Sequence, residues 1–210
     1  MTLDTAIPFL LVSLVATATP GPSVLFILSA GLTSGKRGYV PGAAGILTAD
    51  ALYFLLSVVG LGTFLLASYH FFLLVKWAGA AYLIWLGLRL LWLAFVRAEG
   101  MAIDAAKAPT QTRWFSGGFM LHAANPKALL YFGSIVPQFL RPAEPLLPQI
   151  AALGVIHLLT ALTVVVVYGF FASRLQACAH NPWFSRSLHG VSGTMLIAAG
   201  VGLASIKQKS

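Results

Sequence analysis

Apolar residues run along this chain in long blocks that end at charges, glycine or proline. The blocks cover about residues 5–32, 40–67, 71–95, 114–140, 147–172 and 188–206. A helix needs roughly 20 residues to cross a hydrocarbon core, and each block comes close to that length or exceeds it. Six spanning helices joined by short connections use up the 210 residues and leave no room for a second, soluble domain. The pattern therefore predicts an all-α membrane protein forming one unit over 1–210. Within the first block, Ala16-Thr17-Ala18 follows an apolar stretch and resembles a signal cleavage site. Asp4 is the only charge before Lys36, whereas a signal peptide begins with basic residues, so this block is expected to stay as a span.

One polar stretch, 97–113, carries Glu99, Asp104, Lys107 and Pro109 and divides the chain into a first repeat of about 1–96 and a second of about 114–210. With three spans in each half, the second half must cross in the opposite sense to the first. That is the inverted repeat of many secondary transporters. Both halves also break their leading span. Thr19-Pro20-Gly21-Pro22 interrupts the first helix and Asn125-Pro126-Lys127 the fourth. A proline lacks the amide proton and clashes with the carbonyl one turn earlier, so carbonyls near Ala16, Ala18 and His122 should be freed. Free backbone groups persist in hydrocarbon only where protein or a water-filled cavity satisfies them. A simple kink would explain either motif alone. Two at matching depths point to broken helices around a binding site.

Composition reinforces the membrane reading. The chain is 59% hydrophobic and 9% charged, with a mean hydropathy of +0.87, whereas a soluble domain is about 25% charged. The net charge of +8 comes from Lys and Arg scattered singly or in pairs between the blocks. Scattered basic residues set topology and form no nucleic-acid surface. With both termini outside, Lys36, Arg37, Arg89, Arg97, Lys107, Arg113, Arg174 and Arg186 fall on the cytoplasmic side, against Lys76, Arg141, Lys207 and Lys209 on the other. Cys178 is the single cysteine, which excludes a disulfide, a CxxC pair or a thiolate metal cluster within one chain. No GxxxxGK[ST] occurs, so any work done would draw on an ion or substrate gradient.

Asp50 is the only acidic residue well inside an apolar block, where a carboxylate is costly and functional by default. A fixed ion pair with Lys127 is the alternative. His157 with Thr160 and Thr163 forms a polar stripe at helical spacing that should face a cavity, and His122, one turn before Asn125, should face the same space. A zwitterion would fit there. Half-helix ends at Gly21-Pro22-Ser23 and Asn125-Pro126-Lys127 would hold its carboxylate, with the Lys127 charge added. Freed carbonyls or Asp50 would hold its ammonium. The same Asp50, His122 and His157, if they converge, would also suit a membrane-embedded enzyme, and merely joining helices would suit a non-catalytic subunit. No HxxxH or ExxH pair suggests a metal, and no cofactor is expected. Glycines at Gly38, Gly42, Gly45, Gly117, Gly118, Gly190 and Gly193 should allow close helix packing.

The chain resembles the lysine exporter superfamily, in particular its RhtB-type branch of homoserine, threonine and neutral amino-acid efflux proteins. The likeness runs through Thr19-Pro20-Gly21-Pro22, the stretch from Lys76-Trp77-Ala78-Gly79 to Leu86-Gly87, Asn125-Pro126-Lys127-Ala128 and Pro137-Gln138-Phe139. It implies six helices in a bacterial cytoplasmic membrane. It also implies export of a small amino acid or derivative (homoserine, threonine, homoserine lactone or similar), in antiport with protons and without enzymatic chemistry. Asp50 stands where many members carry an acid, which makes it the proton-coupling residue. Thr19, Pro20, Gly21, Pro22, Ser23, Asn125, Pro126, Lys127 and His157 are the expected substrate-binding set. Members often carry a further Asp in the fifth helix, near Thr160 and Ala161, where this chain has His157, Thr160 and Thr163. The expected partners are the amino acid, protons and lipid; a homodimer is left open.

Overall fold

The computed structural model describes residues 3–58, 69–96, 109–141, 144–175 and 182–205. The end of the second apolar block, most of the polar stretch 97–113, Cys178 and the basic pair Lys207 and Lys209 lie outside the described residues. Within them all regular structure is helical: α1 (Leu3–Ala18), α2 (Pro22–Ser34), α3 (Lys36–Val58), α4 (Tyr69–Val96), α5 (Gln111–Ala123), α6 (Pro126–Leu130), α7 (Leu146–Arg174) and α8 (Pro182–Ser205). A π turn at Tyr131–Ile135 and a 3-10 turn at Val136–Phe139 extend α6.

The helix ends follow from local chemistry. Pro22 starts α2, because the first helical position needs no amide proton. Gly35, at φ 55°, ends α2 in a conformation that favours glycine and lets α3 begin at the next residue. The Thr110 hydroxyl caps α5 by accepting from Arg113 N, and the Asn125 side chain caps α6 by accepting from Lys127 N. The first and fourth apolar blocks are thus each broken at the expected prolines. α1 and α2 meet at 58°.

Among the described residues, α3 over Lys36–Leu56 and α7 are long and apolar enough to cross a membrane. The bent pair α1/α2 adds a third crossing if counted as one span. Large apolar side chains point outward along these helices, among them Leu11, Val15, Leu55, Leu147, Val155 and Phe171. On a protein in water such a surface would be a liability; in a bilayer it is the wetted face.

Inside, α3 packs along α5 and, together with α2, against α7, which also carries α1, while α4 pairs with α8 and touches the remainder lightly. Glycine sets the α3/α5 seam. A Cβ on Gly45 would overlap the Phe115 carbonyl, and one on Gly118 would overlap the Gly42 carbonyl. The two backbones therefore run in direct contact. Gly87 and Gly193 do the same between α4 and α8. Gly190 meets nothing within 4 Å and takes no part in the packing expected of it.

Candidate functional site

Close backbone contact between α3 and α5 brings Asp50 against His122. His122 Nε2 lies 2.7 Å from Asp50 Oδ1, and His157 Nε2, from α7, lies 3.5 Å from the same oxygen. All three side chains are buried. Both imidazoles approach the carboxylate off the straight hydrogen-bond line. A ring nitrogen this close to a carboxylate oxygen must carry its proton, since two lone pairs would repel. That fixes the other ring nitrogen of each neutral histidine as an acceptor.

The surrounding groups fit that polarity. His122 Nδ1 lies 2.8 Å from Ser23 Oγ, and Asn125 Nδ2 donates to Ser23 Oγ at 3.2 Å. The serine hydroxyl thus accepts from the amide and donates to the imidazole. On the other side, His157 Nδ1 lies 3.2 Å from the Tyr131 hydroxyl and 3.4 Å from Ser13 Oγ, and these two hydroxyls bond each other. One buried chain therefore runs from Asn125 through Ser23, His122, Asp50 and His157 to Tyr131 and Ser13.

The π turn contributes here. Tyr131 stacks on the His157 ring and Phe132 meets its edge, both with centroids 5.0 Å away. Widening the helix at Tyr131–Ile135 lets two consecutive residues clamp one imidazole.

Carbonyls at both breaks find partners, three of them through long-range contacts. Tyr168 of α7 donates to the Ala18 carbonyl at 3.0 Å, and Lys127 Nζ donates to the Thr19 carbonyl at 2.8 Å. Tyr53 of α3 donates to the Ala123 carbonyl at 2.5 Å, and the His122 carbonyl accepts from Asn125 N at 3.0 Å. Each break is held by a tyrosine from the opposite half of the chain.

A cavity of about 50 Å³ lies at the centre, lined by Ser23, Asp50, His122, Asn125, Lys127, Tyr131 and His157 among others. Its polar walls and size suit ordered water. A free amino acid is larger, so the cavity is closed to one in this conformation.

Of the residues expected to bind substrate, Ser23, Asn125, Lys127 and His157 line this cavity together with Asp50. Thr19, Pro20, Gly21, Pro22 and Pro126 do not; they shape the breaks, and Gly21 packs beside the Lys127 ammonium. The Lys127 backbone amide, expected to be free for a carboxylate, is already capped by Asn125 Oδ1. The alternative Asp50–Lys127 ion pair does not form, because histidines occupy the carboxylate and Lys127 turns to Thr19. The polar stripe on α7 is also corrected. Thr160 and Thr163 bond carbonyls of their own helix, and Ala161 and Val165 face the cavity instead. Ser13 and Tyr131 were not singled out by the sequence. A serine two turns before the first break was its only signal there. No group of three side chains poised to hold a metal occurs among the described residues.

Comparison with known proteins is consistent with this architecture. A family model described as "LysE type translocator" matches residues 14–206. The chain is 33% identical to the homoserine/homoserine lactone efflux protein of Salmonella typhimurium, over 99% of both chains. It is 28% identical to an uncharacterized membrane protein of Vibrio cholerae, over 95% of this chain and 96% of the other. It is 34% identical to the leucine efflux protein of Klebsiella pneumoniae, over 58% of this chain and 56% of the other. No solved structure matches. The convergence of Asp50, His122 and His157, which by itself would also suit an enzyme, thus occurs in a membrane transporter, and the chain belongs to the LysE-type translocator family.

Proposed function

We propose that this protein exports a small amino acid or a close derivative across the bacterial cytoplasmic membrane in exchange for protons, from one site between two inverted three-helix halves. The observation that carries the reading is the place of Asp50. The one deep carboxylate meets two imidazoles where both broken helices converge, and it lines a cavity that Lys127 also lines.

Once the cavity opens, its two ends suit the two charges of a zwitterion. Its ammonium goes to Asp50, and its carboxylate goes to Lys127 and the first amides of α2 at Ser23 and Val24, where the helix dipole adds positive potential. Substrate ammonium and a proton then compete for the same carboxylate. A proton entering from outside neutralises Asp50 and weakens the hold on the ammonium; loss of that proton to the cytoplasm restores it. Such competition is sufficient for antiport when the two halves open alternately. The buried chain ending at Ser13 and Tyr131 offers the proton a route of hydroxyls and imidazoles to Asp50.

The substrate class is supported by the names of relatives, homoserine/homoserine lactone and leucine efflux proteins. The basic residues favour both termini outside. In vesicles containing the purified protein and loaded with labelled homoserine, threonine or leucine, acidifying the outside should accelerate efflux of at least one of them. Asp50→Asn should lose that acceleration while retaining slow exchange. No efflux beyond protein-free vesicles would overturn transport. Undiminished acceleration in the variant would overturn Asp50 as the coupling group.

A further inference from the structure

A second cavity, of about 690 Å³, lies between the α4/α8 pair and the outer faces of α2 and α5. Most of its wall is apolar and aromatic, including Phe26, Tyr82 and Trp85. Arg89 and Arg113 both reach it, and no acidic residue lines it among the described residues. Arg89 lies over the Trp85 ring at 5.8 Å. Neither guanidinium has a carboxylate partner among the described residues. The two arginines are therefore free to meet a negatively charged group that enters the cavity.

We propose that this cavity binds an anionic phospholipid. Its phosphate would sit on Arg89 and Arg113, and an acyl chain would lie along the aromatic wall. An exported zwitterion fits poorly, because the lining offers its ammonium no carboxylate among the described residues. An amphiphile with a negative head and an apolar tail matches both parts of the lining, and the bilayer supplies it laterally. The α2 and α5 wall is shared: Pro22, Leu25, Phe26 and Leu121 face this cavity, whereas Ser23, Val24 and His122 face the central one. A bound lipid thus buttresses the two helices that carry Ser23 and His122, and it should stabilise the protein whether or not the transport reading holds.

The test uses the full-length purified protein. Phosphatidylglycerol and phosphatidylcholine with the same acyl chains are added, and bound lipid and thermal midpoint are measured. Phosphatidylglycerol should be retained and should raise the midpoint; phosphatidylcholine should do neither to the same degree. Arg89→Gln with Arg113→Gln should weaken phosphatidylglycerol retention at least about tenfold, by loss of two charges. Lys36→Gln with Arg37→Gln, which removes two exposed charges elsewhere, should not. If the first pair does not fold, Arg113→Gln alone, at an exposed position, should still weaken retention. Equal binding of the two lipids, equal loss in the control pair, or unchanged retention in the Arg113 variant would overturn the site. Equal protection by glycerol phosphate would replace the lipid with a soluble anion. Protection by homoserine or leucine that depends on the arginine pair would make the cavity a substrate vestibule, and this also overturns the lipid.

Discussion

At the residue scale the central feature is a carboxylate whose neighbours are aligned in polarity. Asp50 Oδ1 faces two ring nitrogens, which leaves both Nδ1 atoms to accept from hydroxyls, and Ser23 relays the pattern to Asn125. Replacing His122 by Gln should break this relay while leaving an amide to face Asp50. Acid-driven efflux should fall by about tenfold or more with substrate exchange less affected, on the footing that acid–base groups contribute by that order and above. Equal loss of both would mean that His122 serves only packing. Lys127 provides a second test. It is half-buried, and its contact is the exposed Thr19, whose carbonyl can turn to water when the ammonium is removed. Lys127→Met should therefore keep its abundance in the membrane and lose substrate affinity. A stable variant with normal binding would remove Lys127 from the site.

At the scale of elements, placement of the site depends on backbone contact. Gly42, Gly45 and Gly118 hold α3 against α5, and Asp50 and His122 lie one to two turns beyond that contact. Gly118→Ala must push the helices apart, since the added methyl has only the Gly42 backbone before it. Overpacking of this kind costs about 1–3 kcal/mol. It should lower the thermal midpoint and weaken substrate binding together, whereas Gly190→Ala, with open space around it, should change neither. The tyrosine caps belong to the same scale. Tyr53→Phe leaves the Ala123 carbonyl unpaired beside the second break, which should destabilise by about 1–3 kcal/mol. An unchanged midpoint in denaturant or heat would show that water replaces the hydroxyl there. Both breaks were legible because proline chemistry is local. The π turn was not: Tyr131-Phe132-Gly133-Ser134-Ile135 carries no local signal, and the widening is selected by packing on His157.

At the scale of the whole molecule, the two halves interlock reciprocally. Tyr168 of the second half caps the first break and Tyr53 of the first half caps the second. Orientation in the membrane can be tested directly. In a Cys178→Ser background, a cysteine at Lys107 should resist a membrane-impermeant thiol reagent in intact cells, and one appended after Ser210 should react. The reverse labelling pattern would reject the orientation drawn from the Lys and Arg distribution.

The sequence by itself determined what depends on near neighbours along the chain. Apolar block lengths, the two proline breaks and the isolated acid at Asp50 are local or compositional, and the family motifs at Thr19-Pro20-Gly21-Pro22 and Asn125-Pro126-Lys127 are contiguous. Tertiary structure decided which groups meet. Charge alone paired Asp50 with Lys127, but the α3/α5 glycine contact brings His122 to the carboxylate first, and the clamp of Tyr131 and Phe132 brings His157. Helical spacing placed Thr160 and Thr163 in a polar stripe, yet each hydroxyl can satisfy itself on the carbonyl one turn back, and in hydrocarbon it does. Partners separated by more than a hundred residues, such as Ser13 with Tyr131, depend on how helices cross, which no local pattern encodes.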